Sequence, residues 1–220
     1  MGRTANDESA CNCSEVSSER RTQARTATVF RPVLFDADGL VGFCLVRNLA
    51  PGGLMGTVYT SFVEGTQITC QFHADKSVEG TIVWSRDGQI GIEFTEQIDV
   101  DRVLSDLARH LVEGKVNRAP RVPIQCGAEL SIGYRILSAE VQDISQRGIK
   151  VAVSNVEPGD EVQLRLQGLE PRKAQVRWTR TGTAGLNFVR PLSFDELARW
   201  VIEQQSRSAA SSEIAISRNH

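Results

Sequence analysis

The sequence predicts an all-β protein with short helices, in which one small antiparallel domain, a barrel or a sandwich, occurs twice in tandem. In each half of the chain, six short apolar segments alternate with turn residues, a pattern typical of these folds. Landmark residues also recur in the same order at a spacing of about 95 residues: Arg25 and Arg121, Asn48 and Asp143, Gly65 and Gly159, Trp84 and Trp178, Gly91 and Gly185, Phe94 and Phe188. A repeat of this length indicates duplicated globular domains, because solenoid repeats are shorter.

The first domain is predicted over residues 19–113. It follows a polar segment, residues 1–18, which is rich in Ser, Asn and acidic residues and which we expect to be disordered. Turn residues such as Asp38-Gly39 separate the apolar segments. The predicted strands are residues 28–35, 42–48, 55–59, 67–72, 80–84 and 90–94.

The second domain is predicted over residues 121–205, after a short linker at 114–120. Its strands are predicted at residues 122–134, 137–142, 148–153, 161–166, 173–178 and 183–188. Residues 206–220 are rich in Ser and Ala, and we expect them to form a disordered tail.

A helix is predicted after each set of strands. Val100, Val103 and Leu107 are spaced to share one helical face, which predicts a helix over residues 98–113 before Gly114. The second helix is predicted over residues 193–205. It opens with a capping box, in which Ser193 caps the first amides and Glu196 reaches back.

Composition excludes several classes of protein. A net charge of −2 disfavours nucleic-acid binding, and no apolar run approaches the roughly 18 residues that a membrane span needs. The first residues lack the apolar core of a signal peptide, so we expect a cytoplasmic protein. Five cysteines, an odd number, do not form a disulfide framework.

Two short motifs recur at the landmark positions. Arg21 and Arg25 are four residues apart before the first strand, and Asn48-x-Ala50-x-x-Gly53 follows. The second copy has Asp143-x-Ser145-x-x-Gly148, but Asn117 stands four residues before Arg121, with Arg118 as a displaced alternative. Together these residues resemble the PilZ domain, whose signatures are R-x-x-x-R and [D/N]-x-S-x-x-G. The resemblance covers residues 19–190 and implies two tandem six-stranded antiparallel β-barrels that bind the bacterial messenger cyclic di-GMP.

The chemistry of these residues suits such a ligand, a dianion with two guanines. Guanidinium groups fork onto phosphate oxygens and stack on flat bases. Asp143 offers two acceptor oxygens to the two N–H donors of a guanine edge. Gly53 and Gly148 would permit positive φ or a close approach of the backbone to the ligand.

The first copy is the preferred site, because it keeps both arginines of its motif. Its predicted ligand residues are Arg20, Arg21, Arg25, Asn48 and Gly53. The second copy is predicted to bind more weakly, through Arg118, Arg121, Asp143, Ser145 and Gly148.

Each of these residues also has a structural alternative. The arginines could form a solvated basic stretch, and Asp143 and Ser145 could be turn formers. Trp84 and Trp178 are interpreted as barrel core and not as stacking surfaces for a ligand. No catalytic set, metal site or cofactor motif is evident, so we predict a protein that is not an enzyme.

The sequence therefore predicts a receptor that binds cyclic di-GMP and passes the signal to an unidentified protein target. The alternative is a pair of degenerate barrels that serves as a protein-interaction scaffold without binding nucleotides. Nucleic-acid binding is a third, disfavoured interpretation, because no strand carries an aromatic and basic stripe.

Overall fold

A computed structural model describes residues 26–73, 76–112 and 119–217. These residues form two closed, six-stranded antiparallel β-barrels, which confirms the predicted fold. The first barrel and its helix consist of β1 (Thr26–Ala37), β2 (Leu40–Ala50), β3 (Gly53–Thr57), β4 (Gln67–His73), β5 (Lys76–Arg86), β6 (Gln89–Phe94) and α1 (Val100–Val112). The second consists of β7 (Val122–Ile132), β8 (Arg135–Ser145), β9 (Gly148–Ala152), β10 (Glu161–Leu166), β11 (Arg172–Arg180), β12 (Thr183–Phe188) and α2 (Phe194–Ser217).

The two barrels have the same strand order. The first runs β1-β2-β3-β6-β5-β4, the second runs β7-β8-β9-β12-β11-β10, and the first and last strands of each series pair to close the barrel. Trp84 pairs with Gly91 and Trp178 pairs with Gly185, so the two tryptophans occupy equivalent positions, as the repeat predicts.

Period-two alternation places the core inside each barrel. In β10, for example, Val162, Leu164 and Leu166 are buried while the residues between them are exposed. Each fully buried Leu, Ile or Val stabilises the fold by roughly 1.5–3 kcal/mol through removal of its surface from water.

Trp178, however, does not belong to the core. Trp178 is 43% exposed and Trp84 is half-buried, so the core interpretation is wrong for Trp178. The reason is a β-bulge that shifts the register between Val176 and Trp178. One extra residue reverses the side of the sheet on which the following side chain lies. The indole consequently lies outside the barrel, over Gly185.

The predicted capping box of the second helix is only partly formed. The backbone N–H of Glu196 donates to Ser193 Oγ at 3.2 Å, as predicted. The Glu196 side chain does not complete the capping box, because its carboxylate pairs with Arg172 of β11. Asp99 caps α1 in the same way, accepting from the N–H of Arg102 at 3.0 Å.

Helix α2 is longer than predicted. It continues to Ser217, so the prediction of a disordered tail is wrong for residues 206–217, whereas 218–220 lie outside the described residues. The extension is rich in Ala, the best helix former. Ser206 and Ser208 keep their hydroxyls satisfied by donating to the carbonyl oxygens of Ile202 and Gln204, four residues earlier. The predicted segment 1–18 and residues 113–118 of the linker region also lie outside the described part of the chain.

Helix α2 joins the two barrels. Leu197, Trp200 and Val201 pack in the core of the second barrel. An adjacent side of the helix contacts the first barrel, where the ring of Phe194 lies 5.7 Å from the ring of Phe43. Ile202 packs against the first core as well. We call this surface the inter-barrel contact.

The inter-barrel contact is not repeated on the second barrel. The hairpin-end pairs Ala37–Leu40 and Ile132–Arg135 align the two barrels at an offset of 95 residues. At this offset Leu34 and Phe43, which pack against α2 and the second core, correspond to Glu129 and Ser138. Ser138 is exposed, and Glu129 pairs with Arg165. At these two positions the second barrel is therefore polar where the first barrel is apolar, whereas Ile136, the counterpart of Val41, is apolar and exposed.

Candidate functional site

The structure describes six of the ten predicted ligand residues. Arg20, Arg21 and Arg25 precede the described residues, and Arg118 lies in the gap at 113–118. The other predicted residues, Asn48, Gly53, Arg121, Asp143, Ser145 and Gly148, lie on or beside two equivalent hairpins.

The hairpins have tight turns and identical registers. Ala50 pairs with Gly53 in the β2–β3 hairpin, and Ser145 pairs with Gly148 in the β8–β9 hairpin. Two residues therefore form each turn. Further along each hairpin, Asn48 lies opposite Met55 and Asp143 lies opposite Lys150.

The glycines of the motif are required by strand packing. A Cβ at Gly53 would overlap the carbonyl oxygen of Ile92, and a Cβ at Gly148 would overlap that of Leu186. Neither glycine has a positive φ. The sequence offered two reasons for glycine at these positions, positive φ and a close approach of the backbone to the ligand. The structure excludes positive φ, and the close approach that it shows is between the glycine and the neighbouring strand.

Ser145 stabilises its own turn through a hydrogen bond. Its side chain is buried, with 3% exposure, and Oγ donates to the carbonyl oxygen of Gly148 at 3.1 Å. This geometry agrees with the turn-former interpretation of Ser145, and a contact between Ser145 and a ligand stays a prediction. Ala50 has no hydroxyl with which to make the same bond in the first copy.

Arg121 and Asp143 form an ion pair beside the second hairpin. Their side chains are 39% and 25% exposed, so both groups remain accessible from solvent. Pro123, two residues after Arg121, pairs with Asp143 across β7 and β8, which brings the arginine to the carboxylate. The structure therefore places two predicted ligand residues of the second copy in contact.

A row of residues continues from Asp143 across the barrel. Lys150 of β9 pairs with Asp143 on one side and with Gly185 of β12 on the other. Gly185 in turn pairs with Trp178 of β11. We call these four residues, Asp143, Lys150, Gly185 and Trp178, the outer row. Sequence analysis missed Lys150, although counting outward from the turn pair Ser145–Gly148 places it opposite Asp143.

The equivalent row of the first barrel has different chemistry. It consists of Asn48, Met55, Gly91 and Trp84. The guanidinium carbon of Arg86 lies 5.3 Å from the centre of the Trp84 ring, a cation–π contact. The first row thus lacks both the carboxylate and the central cation of the second.

The outer row is accessible from solvent, because Trp178 is 43% exposed and the side chain of Asp143 is 25% exposed. A cavity of about 510 Å³ lies elsewhere, between α2 and the Gly168–Glu170 turn, and is lined by residues that include Glu196 and Trp200. The geometry of the hairpins, and not this cavity, brings the predicted ligand residues together.

The thiols of the described cysteines, Cys44, Cys70 and Cys126, have raised pKa values. Burial raises the pKa of the Cys70 thiol to about 12 and also raises the pKa of the Cys44 thiol, which lies near Cys70. Burial and the neighbouring Glu140 raise the pKa of Cys126 to about 11. These thiols therefore stay protonated near neutral pH.

Across residues 26–73, 76–112 and 119–217, no group of three or more His, Cys, Asp or Glu could hold a metal ion. No helix in the same ranges is both long and apolar enough to cross a membrane.

Several solved structures resemble the chain at low identity. PlzA of Borreliella burgdorferi, in complex with c-di-GMP, is 10% identical over 82% of this chain and 92% of that chain, with a TM-score of 0.38. MotI of Bacillus subtilis, an inhibitor of motility, is 13% identical over 82% and 99%, with a TM-score of 0.34. YcgR of Escherichia coli, in complex with c-di-GMP, is 14% identical over 84% and 88%, with a TM-score of 0.32.

Comparison with curated proteins finds no match of significant similarity. The family model described as the PilZ domain matches the sequence twice, over residues 19–113 and 116–203. These two matches span most of the chain and coincide with the two barrels. The chain therefore belongs to the PilZ domain family, of which it carries two tandem members.

Proposed function

We propose that the chain is a non-catalytic, cytoplasmic receptor for cyclic di-GMP that passes the signal to a protein target. The observation that carries this proposal is the contact between Arg121 and Asp143 beside the β8–β9 hairpin of a PilZ barrel. In this proposal Arg121 binds a phosphate and Asp143 binds a guanine edge, and their contact supports it because both groups are then within reach of one small ligand.

The ion pair suggests how the ligand enters. In the structure the guanidinium of Arg121 forms an ion pair with the carboxylate of Asp143. The two N–H donors of a guanine edge would replace it there, and the released guanidinium would turn to a phosphate or stack on a base. The exchange conserves the charge-assisted contacts of both residues.

The first barrel is proposed as the stronger site, with Arg20, Arg21, Arg25, Asn48 and Gly53 as its ligand residues. It keeps both arginines of the R-x-x-x-R motif, whereas the second copy has Asn117 in place of one. Each charge-assisted contact is worth roughly 1.5–3 kcal/mol. Arg118, Arg121, Asp143, Ser145 and Gly148 are proposed as the residues of a second, weaker site.

A catalytic function is not part of the proposal. The described thiols are held protonated, and the outer row offers a single carboxylate, already paired. The inter-barrel contact instead favours signalling through domain arrangement. The residues before β7 belong to the connection between the barrels. If they bind the ligand, their ordering would directly change this connection.

Isothermal titration calorimetry of the full chain tests the proposal. Cyclic di-GMP is expected to bind saturably, and GTP and cyclic AMP, used as controls at the same salt concentration, are expected not to bind. Absence of binding by a sample that circular dichroism shows to be folded would contradict it.

The alternative function, a scaffold that binds no nucleotide, has one observation in its favour. Ser145 and Gly148 both serve the hairpin itself, Ser145 through its turn bond and Gly148 through its packing against Leu186. The same titration separates the two functions, since a scaffold would bind none of the three nucleotides.

A further inference from the structure

The outer row of the second barrel lies on one face of the sheet. Directly paired residues of adjacent antiparallel strands point to the same side. Ile144, Ile149 and Leu186, the neighbours in sequence of Asp143, Lys150 and Gly185, are fully buried. By alternation along each strand, the side chains of Asp143 and Lys150 therefore lie outside the barrel.

Lys150 stands at the centre of this face. Gly185, its neighbour across β12, has no side chain, and the indole of Trp178 lies over that glycine. In the strand register Lys150 thus stands between Asp143, which carries a carboxylate, and Gly185, which is covered by the flat, 43% exposed ring of Trp178.

The charge of Lys150 is not neutralised by its neighbour. Asp143 pairs with Arg121, and within the described ranges Lys150 forms no ion pair. The first barrel has Met55 at this position, so the central cation is specific to the second barrel. The second barrel is also the copy that has Asn117 in place of the first arginine of the motif.

We infer that Lys150 is a phosphate-binding residue of the second barrel, which supplies the cation that the second copy lacks at position 117, and that Trp178 provides a wall on which a base stacks. The inference rests on the proposed function, since it assigns residues to the same ligand. An ammonium group binds phosphate as a point charge, and an exposed indole stacks on any base. The ligand class is a purine nucleotide with phosphodiester groups.

The test is calorimetry of cyclic di-GMP binding to the full-length Lys150→Met variant, which introduces the residue of the first copy. We expect its affinity at the second site to fall about 10-fold or more, as for loss of one charge-assisted contact. Lys173→Met is the matched control, because Lys173 is an exposed cation on β11 outside the outer row. Lys150→Arg should retain affinity, which separates loss of charge from a change in the strand.

Tryptophan fluorescence gives a second readout. The ligand is expected to quench the wild type and the Trp84→Phe variant, and to quench Trp178→Phe much less. If wild-type protein binds cyclic di-GMP but Lys150→Met and Lys173→Met bind alike, the inference is wrong and the proposed function stands. If the folded wild type binds no cyclic di-GMP, both are wrong.

Discussion

Gln205 of α2 forms two hydrogen bonds with the backbone of one residue of the first barrel, Val41. Its amide nitrogen donates to the carbonyl oxygen of Val41, and its Oε1 accepts from the N–H of Val41 at 3.0 Å. Pairing of β2 with β3 extends only from Leu45 to Ala50, so this edge of β2 has no neighbouring strand at Val41. The side chain of Gln205 therefore takes the place of a strand residue and fixes the helix to the barrel.

The first prediction concerns this bond. Gln205→Ala would leave the N–H and C=O of Val41 without partners under a helix, and we expect a loss of about 1–3 kcal/mol in the free energy of unfolding. Urea denaturation measures it. Glu203→Ala is the control, because the exposed Glu203–Arg207 pair is worth about 0.5 kcal/mol or less. If Gln205→Ala and Glu203→Ala were equally stable, Gln205 would not stabilise the contact between α2 and the first barrel.

A second prediction follows from Tyr59, whose hydroxyl donates to Asp195 across the inter-barrel contact. Desolvation and the bond to Asp195 raise the pKa of Tyr59 from 10.0 to about 12. Because the folded-state pKa is raised, the unfolded chain loses this proton first. The stabilisation is complete below pH 10.0 and is lost as the pH rises towards about 12.

The comparison of wild type with Tyr59→Phe isolates this effect, since other groups titrate equally in both. Wild type is expected to be the more stable at neutral pH, and its advantage should shrink through that alkaline window. A difference that stays constant with pH would contradict the assigned partner.

A third prediction concerns the arginines of the first copy. Arg21→Ala and Arg25→Ala should each weaken cyclic di-GMP binding about 10-fold or more, through lost phosphate contacts. Asp143→Ala should matter less if the first barrel is the principal site. Arg190→Ala, an exposed arginine after β12, is the control for loss of charge. The reverse ranking would move the principal site to the second barrel.

The fourth prediction restores the motif in the first copy. Ser145 donates to Gly148, and Ala50 and Gly53 occupy the equivalent pair. Ala50→Ser is expected to raise the free energy of unfolding by about 0.5–1.5 kcal/mol through the same turn bond. Thermal denaturation with and without cyclic di-GMP shows whether the hydroxyl acts on the hairpin, on the ligand or on both. A gain seen only with ligand would argue against the role of a turn former.

The fifth prediction restores the motif in the second copy. Asn117→Arg adds a charged fork before β7, and binding to the second barrel should strengthen by roughly 1.5–3 kcal/mol. Calorimetry at fixed salt gives the affinity and the stoichiometry, because ionic strength screens phosphate contacts. If neither changes, the second barrel is better described as a scaffold.

The sequence was sufficient to predict the repeat, the twelve strands and the start of each helix, because alternation and turn residues are local signals. It was insufficient for Trp178, whose direction depends on a bulge in its pairing with β12. The length of α2 was also missed, since a Ser- and Ala-rich composition is compatible with both helix and disorder. The hydrogen bonds between Gln205 and Val41 join residues that are far apart in sequence, and no local sequence pattern predicts them.

The polar surface at Glu129 and Ser138 has a consequence for assembly. A contact between unlike surfaces of related domains can repeat from molecule to molecule and produce an open filament. Here, α2 of a second molecule would have to cover a carboxylate and a hydroxyl where the first barrel offers Leu34 and Phe43. Covering Glu129 would also remove water from its ion pair with Arg165, and the cost of desolvating two charges can exceed their mutual attraction. Glu129 and Ser138 therefore disfavour a head-to-tail contact between α2 of one molecule and the second barrel of another.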